Sequence, residues 1–163
     1  MTTSGPIRPT DDEARQIARD LLARARFAAL AVVLPDGSPM ITRVAFGLAP
    51  DRRPLTLVSD LAAHTAALRG NPACSLLVGE PGDRGDPLTH PRLTLQARAG
   101  FLGKGDAGHD ALAAHYLRDH PKAKLYIGFA DFRFALFSVT LGHLNGGFGK
   151  AFRLTPADMD LPA

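Results

Sequence analysis

The 163-residue sequence predicts a mainly β protein of the α+β class, with an antiparallel sheet and flanking helices. Two observations carry this prediction. Many short apolar stretches are joined by hairpin-like turns, and only about three segments show helical spacing. Because exposed sheet edges are a liability, so many strands with so few helices favour a closed or half-closed barrel.

The first predicted element is a helix from Asp11 to Ala25, where apolar residues recur on one face. Thr10 followed by Glu13 has the spacing of a capping box. In that motif the threonine hydroxyl accepts a hydrogen bond from a first-turn amide, and the glutamate reaches back. The sequence therefore predicts a helix start fixed by Thr10.

From Phe27 onwards the apolar spacing changes to that of strands. The turn 35–38 reads Pro-Asp-Gly-Ser, in which proline presets φ and glycine supplies a positive φ. Short helices are predicted just before Gly70 and again over 110–120, the latter stopped by Pro121. The predicted strands are 27–34, 40–48, 55–58, 74–79, 92–103 and 132–154, the last being one strand or a pair interrupted by glycines.

The length and composition predict a single domain over residues 1–163. No internal repeat or low-complexity linker divides the chain. The ends, 1–10 and 155–163, are expected to be frayed, because neither shows strand or helix periodicity.

Charge and apolar patterning exclude several classes of partner. The net charge is +3, but the lysines and arginines are scattered, so we expect no nucleic-acid partner. No apolar run reaches the roughly 18–20 residues of a membrane helix, and the first residues lack a signal-peptide pattern, so we expect no membrane partner. With Cys74 as the single cysteine, a cytoplasmic location is the default expectation.

Three other patterns in the sequence do not identify a binding or catalytic site. Residues 103–108 match G-x-G-x-x-G, but the preceding stretch alternates like an antiparallel strand, so we interpret them as a loop and not as a dinucleotide site. The segment "GGFGKA" lacks the spacing of a phosphate loop. The six histidines show no metalloprotease spacing, so no metal site is predicted, and no catalytic residue can be named.

The stretch 57–72 contains the best candidate site. An apolar strand stops on Ser59, and a helix follows with His64 and Thr65 in its first turns. A helix start offers free amides and a partial positive charge, and the three polar side chains add further donors to a phosphate. The alternative is that Ser59 or Asp60 simply caps the helix.

Two further segments carry polar or glycine patterns of interest. Thr42 and Arg43 are neighbours in a strand, so one side chain lies on each face and one points towards the core. The glycines of "NGGFGKA", residues 145–151, permit either close approach of a flat group or a sharp bulge between strands.

Five stretches together resemble a known family. In order they are "SPMITRVAF", "LTLVSDLAAHTAALRGNPACSLLVG", "RLTLQARA", "HYLRDHPKAKLYIGFADFRF" and "LNGGFGKA". They are similar to the pyridoxamine 5′-phosphate oxidase-like, FMN-binding split-barrel family, and most of all to its haem-utilisation (HugZ-type) branch. The resemblance extends from Asp11 to Leu154, nearly the whole chain.

The resemblance implies a six-stranded antiparallel split β-barrel that forms a homodimer, with flavin sites along the subunit interface. FMN is the implied cofactor. Its phosphate is expected near Thr42, Ser59, His64 and Thr65. The strand at Arg43 and Val44 is expected to contact the isoalloxazine through its backbone.

The sequence also departs from the family pattern. Many flavin-binding members carry Arg-Lys where this chain has Ala63-His64, and the vitamin-oxidising members end in a tryptophan-bearing segment, whereas this chain has no tryptophan. We therefore do not expect oxidation of pyridoxamine phosphate. Haem-degrading members place an iron-ligating histidine in a C-terminal extension, and no histidine follows His143 here. Asp131 resembles the acidic residue that partners that ligand.

The sequence therefore predicts an FMN-binding flavoprotein, a small oxidoreductase in which the flavin performs the redox chemistry. Two alternatives stay open. One is a haem-binding or haem-degrading protein, and the other is a flavin or tetrapyrrole carrier without turnover.

Overall fold

A computed structural model describes residues 6–163, beginning with the segment that leads into the first helix. Helix α1 spans Asp12–Arg24, so the predicted helix is confirmed. The predicted capping box is wrong. Asp11 is the N-cap and its carboxylate accepts from the Ala14 amide at 2.8 Å. The Thr10 hydroxyl instead donates to the Arg153 carbonyl oxygen at 2.9 Å, which ties the helix start to a distant strand.

Six strands of six or more residues form most of the sheet, joined by shorter ones. Helices α2 (Ala63–Gly70) and α3 (His109–Asp119) complete the helical elements, with 3₁₀ turns at Pro87–Thr89, Pro121–Leu125 and Ala157–Met159. No helix within residues 6–163 is both long and apolar enough to cross a membrane. The strands are β1 (Ile7–Arg8), β2 (Phe27–Val33), β3 (Pro39–Ala45), β4 (Gly47–Leu48), β5 (Pro54–Ser59), β6 (Ala73–Val78), β7 (Arg92–Leu102), β8 (Phe132–Asn145) and β9 (Ala151–Leu154).

The sheet runs in the order β3-β2-β6-β7-β8, every neighbour antiparallel. The first part of β8 then pairs with β5, and its last part pairs with β9. Only β1 and β9 pair in parallel among the described strands. No hydrogen-bonded ladder in residues 6–163 joins β3 to β5, so the sheet stays open there and β3 is an edge strand.

Two apolar clusters cover opposite faces of the sheet. The larger packs α1, through Ala18 and Leu22, against residues such as Leu30 of β2. The smaller packs α3, through Tyr116, against Phe134 of β8. Strand β8 serves both clusters because successive side chains point to opposite faces. This arrangement confirms the predicted mainly β sheet with flanking helices.

The C-terminal segment is ordered against α1, so the predicted fraying of 155–163 is wrong. Met159 is completely buried, Leu161 nearly so, and Asp158 accepts from the Arg15 guanidinium at 2.8 Å. At the other end, residues 7–8 form β1 on β9 and are not frayed. Residues 1–5 lie outside the described part of the chain.

The glycine-rich motif at 103–108 is a turn, as expected. The Asp106 carboxylate accepts from the Gly103 amide at 2.7 Å, and Gly108 has a left-handed backbone just before α3. Strand β7 is antiparallel to both of its neighbours, so no parallel βαβ unit surrounds the motif.

Candidate functional site

A groove of about 780 Å³ lies on the outer face of β2, β3 and β6. The register of the three strands places Ala29, Arg43 and Leu77 in one row on this face. The groove is also lined by apolar residues that remain exposed to solvent, and Ile41 is 69% exposed. These residues are Phe27, Ile41, Leu77 and Leu88. A volume of this size lies within the range of small-molecule sites, roughly 300–1,000 Å³.

Four arginines, Arg24, Arg26, Arg43 and Arg92, surround the apolar walls, with Glu80 as the one carboxylate among the lining residues. Arg26 and Arg92 donate to backbone carbonyl oxygens. Arg43 has no hydrogen-bond acceptor within residues 6–163, and its guanidinium stacks on the Phe27 ring at 5.5 Å. The groove therefore suits a flat, largely apolar ligand that carries acidic groups.

Thr42 and Arg43 lie on opposite faces of β3, as the sequence predicted. Thr42 shares its face with the buried Val44, and Arg43 points outwards. The Thr42 hydroxyl lies 3.1 Å from Nδ1 of His64, in the first turn of α2. Burial lowers the pKa of His64, so the neutral imidazole is favoured near neutral pH.

The two other predicted phosphate donors, Ser59 and Thr65, already have acceptors. Ser59 Oγ donates to Asp131 at 2.6 Å and accepts from the Leu61 amide at 3.1 Å. Thr65 is fully buried, and its hydroxyl donates to the Ser59 carbonyl oxygen at 2.7 Å. In this conformation their hydroxyl protons hold the turn before α2, and Asp131 serves the same turn.

Capping of helix α2 by the side chain of Ser59 or Asp60 does not explain the polar residues at its start. The N-cap of α2 is Ala62, whose side chain makes no capping bond, and helical hydrogen bonding starts with the amides of Thr65 and Ala66. The amides of Ala63 and His64 therefore have no acceptor within residues 6–163. Because these two amides are free and lie next to the His64 ring, the N-terminal end of α2 can attract a small anion.

An ion-pair network that was not predicted from the sequence fixes the turn. The Asp60 carboxylate accepts from Arg133 of β8 and from Arg69 of α2, each at 2.5 Å. Both arginines lower the pKa of Asp60, Arg133 more strongly. Asp131 and Arg133 flank Phe132 at the start of β8, which the sequence shows, but their partners Ser59 and Asp60 are distant in sequence. The network could therefore not be predicted.

The structure thus brings some predicted site residues together and separates others. Thr42 and Arg43 both border the groove. The Thr42 hydroxyl, however, lies on the other face of β3, where it contacts His64, so His64 is not among the groove residues. The Val44 side chain is buried in the core, so only its backbone can serve a ligand. The other groove residues, with Phe27 and Leu77 foremost, were missed, although each is an apolar residue at an outward strand position.

The glycine segment 146–149 is not part of the groove. It forms the turn between β8 and β9, where Gly147 and Gly149 have positive φ values of 125° and 69°. The Asn145 side chain accepts from the Gly147 amide, and Phe148 at the tip is 95% exposed. The turn geometry is sufficient to explain the glycines.

Comparison with known proteins identifies the family. A chloroplastic haem oxygenase of Arabidopsis thaliana, HOZ, is 36% identical over 118 residues, which are 72% of this chain and 35% of that protein. A structure of a protein of unknown function from Agrobacterium tumefaciens is 34% identical (TM-score 0.80; 94% of this chain, 63% of that one). The structure of a haem-binding protein from Mycobacterium smegmatis is 28% identical (TM-score 0.81; 94% and 61%).

The chain thus spans about a third of the plant protein and less than two thirds of the solved chains from Agrobacterium tumefaciens and Mycobacterium smegmatis. The family profile described as pyridoxamine 5′-phosphate oxidase matches residues 14–144, most of the sheet and all three helices. The profile match, together with the two relatives named for haem, confirms the predicted split-barrel family and its suspected relation to haem-utilisation proteins. This chain belongs to the pyridoxamine 5′-phosphate oxidase family.

Proposed function

We propose that the protein binds haem in the groove beside β3. The observation that carries this proposal is the composition of the groove: an exposed apolar surface, with Ile41 and Leu77, surrounded by arginines. A porphyrin is flat and apolar at its centre and carries two carboxylates at one edge. Two relatives named for haem support the same ligand.

The residues present fit such a ligand. Arg43 has no carboxylate partner in the described chain and can pair with a propionate without breaking an existing ion pair. Arg24 has only a distant contact with Asp20, at 3.7 Å, and can reorient. When bound, haem supplies redox and oxygen chemistry at iron. The chain's own contribution is to bind the macrocycle against β2 and β6 and to orient its acidic edge.

A groove-filling substitution tests the site. Ala29 lines the groove, whereas Ala31, two residues further along the same face of β2, does not. We expect Ala29→Trp to abolish saturable haem binding in an absorption titration, and Ala31→Trp to retain it. Circular dichroism confirms that both variants fold. Equal haem binding by the two variants would place the ligand elsewhere and contradict the proposal.

FMN is the second candidate, favoured by a specific observation at the edge strand. One side of β3 has unpaired backbone groups that can hydrogen-bond the edge of an isoalloxazine. The amides of Ala63 and His64 are free for one phosphate, and Thr42 lies beside them. With FMN as the ligand, Ser59 and Thr65 hold the turn before α2 that faces the phosphate, and the protein is a small flavin-dependent oxidoreductase.

The size of the anion site distinguishes FMN from FAD. A single short helix start holds one phosphate, and residues 103–108 form no dinucleotide site. We expect titration calorimetry to show FMN binding at one per chain, with FAD much weaker. Absence of heat with FMN would remove this candidate.

We further propose that the protein is a cytoplasmic homodimer. The exposed apolar face of β2, β3 and β6 is continuous with the groove, and a second copy that covers it would enclose the ligand. Cys74 is an unpaired, buried thiol, which suits a reducing compartment.

A further inference from the structure

The loop between β6 and β7 forms part of the groove wall, and its two halves are held differently. The second half contains the 3₁₀ turn Pro87–Thr89, where the Asp86 carboxylate accepts from the Leu88 amide at 2.8 Å. The first half, residues 80–85, contains no helix or strand and depends on contacts from other residues. The loop residues that line the groove are Glu80, Pro81, Pro87 and Leu88.

The imidazole of His90 holds loop 80–85 through both ring nitrogens. Nδ1 accepts from the Gly82 amide at 3.2 Å, and Nε2 donates to the Arg84 carbonyl oxygen at 2.6 Å. Loop 80–85 makes no other hydrogen bond within residues 6–163. The ring packs closely on the loop, because a Cβ at Gly82 would lie 3.3 Å from Cε1 of His90.

These two hydrogen bonds define the protonation state of the His90 ring. A backbone amide can only donate and a carbonyl oxygen can only accept, so Nδ1 carries the lone pair and Nε2 carries the proton. A protonated imidazole has an N–H group on both nitrogens. Protonation of His90 therefore breaks the bond from the Gly82 amide and leaves two donors facing each other.

The charged groups of the loop do not stabilise a protonated ring. No carboxylate within residues 6–163 forms an ion pair with His90. The nearest acidic residue in the 3₁₀ turn, Asp86, already accepts from the Leu88 amide. The remaining charged residues of the loop are exposed to solvent, and they are Glu80, Asp83 and Arg84.

The elements packed against the second half of the loop add positive charge. From β7, the Arg92 guanidinium donates to the carbonyl oxygens of Leu88 and His90, at 3.0 Å and 3.4 Å. The turn between β8 and β9 approaches at Thr89, and the charged residue of that turn is Lys150, which lies 3.7 Å from Glu13 of α1. A proton on His90 thus gains no anionic partner from the neighbouring elements.

We propose that His90 is a pH-sensitive clasp of the groove: its neutral ring holds loop 80–85 in place, and its protonation releases the loop and weakens ligand binding. The effect on the ligand rests on the proposed haem-binding function, whereas the release of the loop does not. Histidine side chains ordinarily take up a proton near pH ~6.5, so mild acid is the trigger. Release moves Glu80 and Pro81, which line the groove.

Hydrogen–deuterium exchange of the Gly82 amide, measured by NMR and expressed as a protection factor, tests the clasp without a ligand. We expect the wild-type protection at about pH 7.5 to fall about fivefold at about pH 5.5, the value of one hydrogen bond. His90→Ala should lack this protection at both pH values. His143→Ala, a matched control on β8, should behave as wild type. Full protection in His90→Ala, or in the wild type at the lower pH, would overturn the clasp.

Haem titrations at the same two pH values test the effect on the groove. Comparison of each variant with the wild type at one pH cancels the pH dependence of haem itself. We expect His90→Ala to bind haem about fivefold more weakly than the wild type at the higher pH and equally at the lower pH. Equal affinities at both pH values would overturn the control of the groove. Failure of the wild type to bind haem at either pH would overturn the proposed function, and the exchange experiment would still decide the clasp.

Discussion

At the scale of single residues, β3 shows how one strand serves two purposes. Alternation places Val44 in the core, Thr42 beside His64 and Arg43 outwards over Phe27. The sequence predicted this division, because neighbouring polar residues in a strand must face opposite ways. It did not predict that Phe27 stays exposed under the guanidinium, since an aromatic residue at a strand start is usually assigned to a core.

Arg43 should supply much of the affinity for an acidic ligand. Because it has no competing acceptor in the described chain, Arg43→Ala removes a free cation without damaging an ion pair. We expect haem binding to weaken by about 1.5–3 kcal/mol, the value of a hydrogen bond to a charged group. The control Arg98→Ala removes an exposed arginine of β7 outside the groove. Equal haem affinities of the two variants in absorption titrations would exclude Arg43 from the site.

His64 should titrate below an ordinary histidine. Burial disfavours its charged form and lowers its pKa, so the free protein takes up this proton only below about pH 6.5. The unfolded chain binds the proton first, so His64 makes folding less favourable as pH falls through that range. A bound phosphate dianion should raise the midpoint. NMR titration with and without FMN measures both; a midpoint at or above 6.5 in the free protein would contradict the burial argument.

At the scale of elements, the sequence predicts helices and strands that have a long periodic pattern. It does not predict features that depend on contacts between residues distant in sequence. Helix α1 and the six longer strands follow from apolar spacing. The segment 155–161 has only Met159 and Leu161 as large apolar residues and no period, yet both are buried against a surface formed by remote elements. The same limit applies to the cap of α1, because the Thr10 hydroxyl is taken by Arg153.

The C-terminal segment should contribute a pH-dependent part of stability. The Arg15 guanidinium, followed by the Thr155 amide, lowers the pKa of Asp158. A carboxylate with a lowered folded-state pKa stabilises the fold above its ordinary pKa near ~4, and this contribution disappears as pH falls through the folded value. We expect Asp158→Asn to lower the urea midpoint at pH 7 and to match wild type in strong acid. Asp83→Asn, in an exposed loop, is the control; a loss unchanged in acid would contradict the ion-pair explanation.

At the scale of the whole molecule, the face of β2, β3 and β6 exposes several neighbouring apolar side chains that a second copy of the chain would cover. We expect a dimer by light scattering at micromolar concentration. Ile41→Glu should shift the mass to that of the monomer, because a charge there opposes burial. Leu125→Glu changes a leucine of a 3₁₀ turn that is even more exposed than Ile41, and it should leave the dimer intact. A monomeric wild type would contradict the interface.

The family and the sheet could thus be predicted from sequence motifs, but the groove and the choice of ligand could not. Under the two proposals, Arg43 would pair with a haem propionate, whereas Thr42 and His64 would lie beside an FMN phosphate, and the choice between them rests on the groove. Its walls combine side chains from β2, β3 and β6, which no local motif brings together. The groove's apolar area and free Arg43 favour the porphyrin.

Competition between the two cofactors tests the central claim most directly. The purified protein is mixed with equimolar haem and FMN, desalted, and its absorption spectrum recorded. We predict a Soret band that corresponds to one haem per chain, without the two-band spectrum of a flavin. Retention of FMN at one per chain, without a Soret band, would contradict the claim that the groove is a haem site.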